Sequence, residues 1–220
     1  MSTTENNKVH YDLTNVHMAP MNATGENPTW GDFHRVHGAI SVDLAAQGDT
    51  VKLRADGIDY YVSKSNNGYE GDLNLAMITD WIRINVLGET LSAADKVLVE
   101  NSMKEGQPFA MAFEFLGDKK NRRHLLYNLV AGRPNIKGEN KDNPRDPDTE
   151  TLSITASPLA DGSVKASTTE DTPEDVYANW FKGVWHGDGS LNAAEAAEVS
   201  DPDTEQPAAS GEETTEQTGG

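Results

Sequence analysis

Residues 109–130 of the chain, FAMAFEFLGDKKNRRHLLYNLV, decide its fold class. Large apolar side chains occupy alternate positions from Phe109 to Phe115, with alanines and a glutamate between them. A period of two places these apolar side chains on one face of a β-strand. Gly117 and Asp118 then provide a turn, and a second apolar run returns over 125–130. The stretch therefore predicts an antiparallel hairpin with one face in a core.

Similar alternation recurs on both sides of this hairpin. The predicted strands cover residues 40–44, 51–55, 58–62, 73–77 and 152–156, and one more follows the turn in DGSVKAST, residues 161–168. Gly57 fits a hairpin turn between the second and third of these strands. Because the connections are too short for helical crossovers, the strands must be mostly antiparallel. We therefore predict a mainly β domain, an antiparallel β-sandwich or barrel.

One or two short helices are predicted to flank the strands. The first covers residues 79–87, where Thr79 can cap the start and Gly88 the end. The second starts at Thr172, with Pro173 in its first turn. Residues 92–103 combine a cap-like Ser-x-x-Asp with three consecutive β-favouring residues, and we predict a strand there.

The ends of the chain differ in composition from its centre. Residues 1–30 are irregular in pattern, and we predict an N-terminal arm with the apolar anchors Met18, Met21 and Trp30. These anchors are predicted to contact a neighbouring subunit, with packing on the chain's own domain as the alternative. The β domain is predicted over 31–186. Residues 187–220 hold nine acidic and no basic residues, which predicts a disordered acidic tail.

A long polar segment, residues 132–151, lies between two predicted strands. Loops of this length are usually functional or disordered. We predict a long loop or hairpin flap that bridges subunits or rings, with Asn135, Lys137 and Arg145 as candidate contacts.

The bulk charge excludes some function classes. The net charge is -18 and the sequence pI is about 4.5, so the field of the chain repels nucleic acid and anionic membranes. The N-terminal MSTTENNKVH has no apolar core of a signal peptide, and no run of the sequence is apolar enough for a membrane helix. We expect synthesis in a cytoplasm and no membrane partner. The chain has no cysteine, which rules out disulfides and thiolate metal sites.

No set of residues indicates catalysis or a cofactor. His34 and His37 have a spacing that could hold a metal on a helix, but no third ligand stands near them. Asp146, Asp148 and Glu150 alternate in the long loop, yet the glycine and spacing of an EF-hand are missing. Common nucleophile, zinc-protease and phosphate-binding motifs are absent from the sequence. We therefore expect a non-enzymatic protein without a metal or cofactor.

Four basic residues, Lys119, Lys120, Arg122 and Arg123, stand together at the turn of the 109–130 hairpin. Aromatic platforms for nucleic-acid bases are not interleaved with them. On such an acidic chain, this cluster is predicted either to meet an acidic patch of another copy or to be a solvated hairpin tip.

Five segments, taken in order, resemble the major tail protein, or tail-tube subunit, of phages with long, flexible, non-contractile tails. They are VHMAPM (16–21), HGAISVDLAAQGDTVKLRADGIDYYVSKSNNGYEGDLNLAMITDWIRINVLGE (37–89), FAMAFEFLGDKKNRRHLLYNLVAGRP (109–134), TETLSITASPLADGSVKASTTEDT (149–172) and VYANWF (176–181). The likeness spans roughly residues 8–185 and ends before the acidic tail.

This resemblance implies a β-sandwich or barrel flanked by a helix, assembled as homohexameric rings. The rings would stack around a tape-measure protein into a tube, with tail terminator and baseplate proteins as further partners. Double-stranded DNA would pass through the lumen without specific binding. The resemblance implies no catalytic residues and no cofactor. It places the protein in the virion tail, and in the host cytoplasm during assembly.

The sequence is also compatible with other functions. A tail terminator, a baseplate ring or a hexameric secretion-tube protein could use a similar scaffold. A carbohydrate-binding β-sandwich module would need an exposed aromatic platform. The candidate platform residues are Trp30, Tyr60, Tyr61, Trp180 and Trp185.

Overall fold

The computed structural model describes residues 7–138, 147–187 and 190–192, and within them the chain is mainly β, as predicted. The first seven strands are β1 (His10–Ala23), β2 (Thr29–Trp30), β3 (His34–Arg35), β4 (Ala39–Gln47), β5 (Thr50–Ala55), β6 (Ile58–Lys64) and β7 (Gly68–Leu75). The remaining strands are β8 (Thr90–Leu91), β9 (Leu98–Val99), β10 (Phe109–Gly117), β11 (Arg122–Ala131), β12 (Glu150–Ala156), β13 (Lys165–Ser167), β14 (Val184–His186) and β15 (Ser190–Asn192). The described helices are α1 (Asp80–Asn85) and α2 (Glu174–Asn179).

One large antiparallel sheet organises the chain. Its strand order is β2-β1-β10-β11-β12-β7-β4, with β3 also paired to β1 and β13 to β11. The predicted hairpin of residues 109–130 is confirmed as β10–β11, at the centre of this sheet. The pairs β5–β6, β8–β9 and β14–β15 form separate two-stranded sheets.

Two cores lie on opposite faces of the sheet. Along β10, Phe109, Met111 and Phe113 enter the first core, whereas Ala110 and Ala112 enter the second. The sequence alternation thus reflects two buried faces, one filled by large side chains and one by small side chains. The architecture is consistent with a β-sandwich.

Helix α1 closes the first core, which contains Ile82 with no exposed surface. The C-terminal region covers part of the other face, because Trp180 and Val184 pack with Trp30 in the second core. The C-terminal region packs on the part of the sheet formed by β1, β10 and β11. The strands at the other edge of the sheet keep one exposed face, and that face positions the first candidate site.

The predicted irregular N-terminal arm is wrong over residues 10–30. His10–Ala23 forms a long strand paired with β10, and Thr29–Trp30 pairs with its end. Two register shifts against β10 and a positive φ of 51° at Asn15 break the alternation of this strand. Pro20, inside the strand, also weakens the sequence signal for β structure.

The predicted turns and helices are largely confirmed. Gly57 has a φ of 80° in the β5–β6 turn, which a residue without a Cβ adopts easily. Helix α1 is shorter than predicted, and α2 begins at Glu174 rather than at Thr172. Val86 caps the C-terminus of α1 with a φ of -112°, and Gly88 follows with a φ of 76°.

Residues 92–103 are not the continuous strand that was predicted. The Ser-x-x-Asp sequence instead forms a turn, because Asp95 donates its backbone N–H to Ser92 Oγ at 3.4 Å. Only two-residue strands, β8 and β9, flank this turn. The β-favouring residues 97–99 therefore contribute a short ladder rather than a full strand.

Candidate assembly surfaces

The exposed face of strands β4, β7 and β12 is polar and acidic. Residues that lie directly opposite each other in an antiparallel ladder share one face. Three such rows cross the strands, and together they form what we call the acidic sheet face: Ser41, Asn74 and Thr151; Asp43, Asp72 and Ser153; Ala45, Glu70 and Thr155. The face contains three carboxylates and no basic side chain.

Hydrogen bonds between side chains tie these rows across the strands. Asn74 Nδ2 donates to Ser41 Oγ at 2.9 Å, and Thr151 Oγ1 donates to Asn74 Oδ1 at 2.7 Å. In the next row, Ser153 Oγ donates to Asp72 Oδ1 at 2.7 Å. The polar groups are thereby fixed as a smooth surface of short side chains.

Strand β4 forms an edge of the large sheet beside this face. Within the described residues it pairs with β7 on one side and with no strand on the other. An unpaired edge offers backbone N–H and C=O groups to a strand of another chain. The backbone groups on this edge of β4 are therefore candidates for pairing with another strand.

The β5–β6 hairpin carries an uncovered apolar face. By its register, Val51, Leu53, Ala55, Ile58 and Tyr61 lie on one side, which we call the apolar ribbon face. The large residues on this side are strongly exposed, with 58% of Leu53 and 56% of Tyr61 accessible to solvent.

The opposite side of the same hairpin is charged and internally paired. Lys52 Nζ lies 3.0 Å from Asp59 Oδ2, and Arg54 Nε lies 3.4 Å from Asp59 Oδ1. The hairpin is thus amphipathic, yet its apolar side has no described layer against it. A two-stranded hairpin is marginally stable alone in water. The apolar ribbon face is therefore a candidate contact surface.

An apolar groove opens at the root of this hairpin. Its volume is about 310 Å³. The lining includes Val42, Leu44, Tyr69, Phe113, Phe115, His124, Leu126, Asp43 and Lys165. We refer to it as the aromatic groove, because its floor joins two phenylalanines of β10 to the facing tyrosine of β7.

His124 is the titratable ring in this groove. It stacks on Phe113 with ring centroids 5.3 Å apart and meets the edge of Phe115 at 5.4 Å. Burial lowers the pKa of His124 to about 4, with smaller contributions from the nearby charges of Lys165 and Arg122. His124 therefore adds no charge to this largely apolar groove at neutral pH, and Lys165 is a basic residue of its lining.

The predicted contact residues of the N-terminal arm are not at the surface. Met18, Met21 and Trp30 are buried in the two cores, with exposures of 0%, 4% and 2%. Trp30 Nε1 also donates to the backbone oxygen of Tyr127 at 3.0 Å. These three residues pack inside the chain's own cores, so their assignment as intersubunit contacts is corrected.

The four basic residues near the β10–β11 turn differ in burial and in the contacts they make. Arg123 is largely buried, with its Nε 2.6 Å from Glu114 Oε2 and its guanidinium 3.8 Å from the centre of the Tyr177 ring. It also donates to the Tyr177 backbone oxygen. Arg123 therefore binds α2 to the sheet, and its assignment as an intersubunit contact is corrected.

The other three basic residues differ in exposure. Lys120 Nζ lies 4.3 Å over the Tyr177 ring, and Arg122 Nε donates to the Thr168 backbone oxygen at 3.2 Å. Lys119 is exposed at the turn, where its backbone N–H donates to Asn7 Oδ1 at 2.9 Å. Lys119 and Arg122 thus keep surface that another copy could contact.

The long loop is described only at its two ends. Asn135 and Lys137 are exposed, as a contact role requires, and Ile136 between them is fully exposed. Arg145 and Asp146 lie outside the described residues. The predicted contact of Arg145 and the alternating acidic run therefore stay predictions.

The histidine pair does not form the helical arrangement considered from its spacing. His34 lies on β3 and stacks on Trp81 with ring centroids 4.1 Å apart. Across residues 7–138 and 147–187, no group of three or more acidic or histidine side chains is placed to hold a metal ion. In the same ranges, no helix is long and apolar enough to cross a membrane.

Two of the candidate carbohydrate-platform residues, Trp30 and Trp180, are buried in the second core. Trp185 is half-buried, and it stacks on Trp180 with ring centroids 6.2 Å apart. Tyr60 and Tyr61 remain exposed on β6. Of the five candidate platform residues, the exposed ones are thus confined to the β5–β6 hairpin.

Comparison with known proteins adds no family assignment. The sequence matches no protein-family model, and no curated protein shows significant similarity to it. The functional argument therefore rests on the surfaces described above. Sequence alternation located the strands that carry them, but the apolar ribbon face and the aromatic groove could be recognised only from the strand pairing.

Proposed function

We propose that this chain is a structural subunit of a phage tail tube, which forms stacked homohexameric rings and conducts DNA during ejection. The observation that carries the proposal is the acidic sheet face beside the unpaired edge of β4. Edge pairing between copies would extend this face from one subunit to the next. Cyclic repetition then closes it around a lumen.

The chemistry of the face suits a conduit for DNA. Asp43, Glu70 and Asp72 would recur in each copy of the ring, and no basic residue of this face would bind a phosphate. Screening at physiological salt confines the repulsion to about 8–10 Å, so it acts on DNA close to the wall. Because the other side chains are short and hydrogen-bonded to each other, they leave few donors for the bases.

The proposal includes the partners and location that the sequence resemblance implies. A tape-measure protein would fill the lumen before DNA, and terminator and baseplate proteins would close the two ends. The subunit would assemble in the host cytoplasm and remain in the virion tail. No enzymatic activity or cofactor is part of this role.

Reversing the charge of the face tests its role directly. The double substitution Asp43→Lys and Asp72→Lys should leave assembly intact but make the particles retain double-stranded DNA. Retention should weaken steeply with salt, because each new lysine replaces counterions on a phosphate. The measurement is co-sedimentation of linear DNA with assembled particles over a salt series.

A matched control carries the same charge change elsewhere. Asp95→Lys with Asp175→Lys alters two exposed acids outside the face, on the β8–β9 turn and on α2. This control should retain no more DNA than the unmodified protein. Equal retention by both double variants would contradict the lumen assignment, and an unmodified chain that stays monomeric would reject the proposed function.

A further inference from the structure

We infer that the apolar ribbon face of one copy docks into the aromatic groove of the next copy. This inference rests on the proposed function, because it identifies a contact by which subunits of the tube hold each other. The inference is based on two features that every copy of the chain carries. One is an amphipathic hairpin whose apolar face is uncovered, and the other is an open apolar groove.

The two surfaces match in chemistry. The ribbon offers Val51, Leu53, Ile58 and Tyr61 on a face without charge. The groove offers aliphatic and aromatic walls, and burying apolar surface between them is favourable by about 25 cal/mol per Å². The ribbon's charged residues point away, where they already pair with one another.

Electrostatic repulsion between copies favours contact through these two surfaces over contact through most others. A chain with a net charge of -18 repels its own copies, so a stable contact must avoid the acidic regions. In the groove, Lys165 is basic and His124 is neutral at neutral pH, whereas the side chain of Asp43 lies on the opposite, acidic face of β4. Beyond His124 a neighbouring cleft adds Lys8 and Arg122, together with Glu170. This cleft gives Asp56, in the ribbon turn, cationic partners.

The geometry favours a second copy over the same copy. The ribbon leaves the sheet between β4 and β7, and the groove lies where these strands end, at Leu44 and Tyr69. A six-residue strand extends about 20 Å, so the tip of the ribbon lies well away from its own root. Contact of a tip with the root of another copy is heterologous, and such contacts build rings or filaments.

The three longer segments outside the described residues offer no comparable occupant. Residues 1–6 contain Met1 as their only large apolar residue, residues 139–146 contain none, and residues 193–220 contain only Val199. None of these segments could supply the branched and aromatic side chains that fill a groove of this size. The occupant of the aromatic groove is therefore the β5–β6 ribbon of a second copy.

Photo-crosslinking tests this contact without a prior choice of register. p-Benzoylphenylalanine replaces Tyr61 on the apolar ribbon face, and a matched control replaces Val62 on the charged face. Assembled full-length protein is prepared from isotope-labelled and unlabelled copies, irradiated and digested. We expect mixed-isotope crosslinks from position 61 to peptides holding 42–44, 69, 113–115 or 124–126, at least about ten-fold above those from position 62.

Three results would overturn the inference. They are crosslinks within one copy, crosslinks between two ribbons, and crosslinks to segments outside the groove, including 193–220. A second test uses Leu53→Glu, with Val62→Glu as its control on the opposite side. Leu53→Glu should raise the protein concentration needed for assembly at least about ten-fold, whereas Val62→Glu should leave it unchanged.

The tests separate this contact from the proposed function. If Leu53→Glu assembles as readily as the unmodified chain, the docking is refuted while the tube proposal stands. If position 61 crosslinks to the groove of a second copy but no rings form, the docking stands and the tube proposal fails.

Discussion

Individual residues at the β10–β11 turn show how charge is used inside this subunit. Glu114 is buried and accepts hydrogen bonds from Arg123, Asn121 and Asn15. Removing one partner of a buried ion pair leaves an uncompensated charge. The same cluster of basic residues therefore includes one that is structural and others that remain exposed.

Arg123→Ala should destabilise the subunit by about 3–5 kcal/mol, because Glu114 loses its cation and Tyr177 loses the guanidinium stacked on its ring. The measurement is urea unfolding of the monomeric chain. Arg54→Ala removes an arginine from an exposed ion pair and should cost at most about 1 kcal/mol. Equal losses from the two substitutions would contradict the structural role of Arg123.

His124 should make stability depend on pH. Its pKa is lowered to about 4 in the folded chain, whereas an unfolded histidine titrates near 6.5. Between these values the unfolded chain binds more protons, so stability falls as the pH falls and is fully present above about 6.5.

The loss attributable to His124 should reach about 1–2 kcal/mol near pH 4.5, since its burial is partial. Chemical denaturation of the unmodified chain and of His124→Gln between pH 7 and 4.5 measures it. The difference in stability between the two proteins should shrink as the pH falls. A constant difference would show that this histidine does not titrate as its surroundings indicate.

At the scale of elements, the close approach of β4 to β7 depends on a glycine. A Cβ at Gly71 would lie 1.9 Å from the backbone oxygen of Asp43, so even alanine must push the two strands apart. We expect Gly71→Ala to cost about 1–3 kcal/mol in urea unfolding, as overpacking usually does.

Gly132→Ala is the matched control for this effect. The nearest atom to its added Cβ would be 3.6 Å away, which is an ordinary contact. This substitution should change stability by no more than about 0.5 kcal/mol. If Gly71→Ala is equally neutral, the edge strand is not held as closely as described.

The elements also show which parts of the fold could be predicted from sequence. The β10–β11 hairpin was predictable because its alternation and its turn are both local. Strand β1 could not be predicted, because its bulges and the left-handed backbone of Asn15 twice change which face the alternating side chains occupy. The burial of Arg123 could not be predicted from the local sequence for another reason. It depends on contacts with α2, which lies about fifty residues later in the chain.

For the whole molecule, the features on which the proposal depends are four surfaces that no other described element covers. An acidic sheet face, an unpaired edge strand, an apolar ribbon and an aromatic groove occur in one subunit. The sequence resemblance supplied the idea of a tube, but neither alternation nor composition could tell which face would line it. The strand register now assigns that place to β4, β7 and β12 within the proposal.

Electron microscopy of the purified full-length chain over a range of protein concentrations tests the central claim most directly. The account predicts six-fold rings that stack coaxially into hollow tubes, with Asp43, Glu70 and Asp72 lining the lumen. A chain that remains monomeric at all concentrations, or rings that turn this acidic face outward, would contradict it.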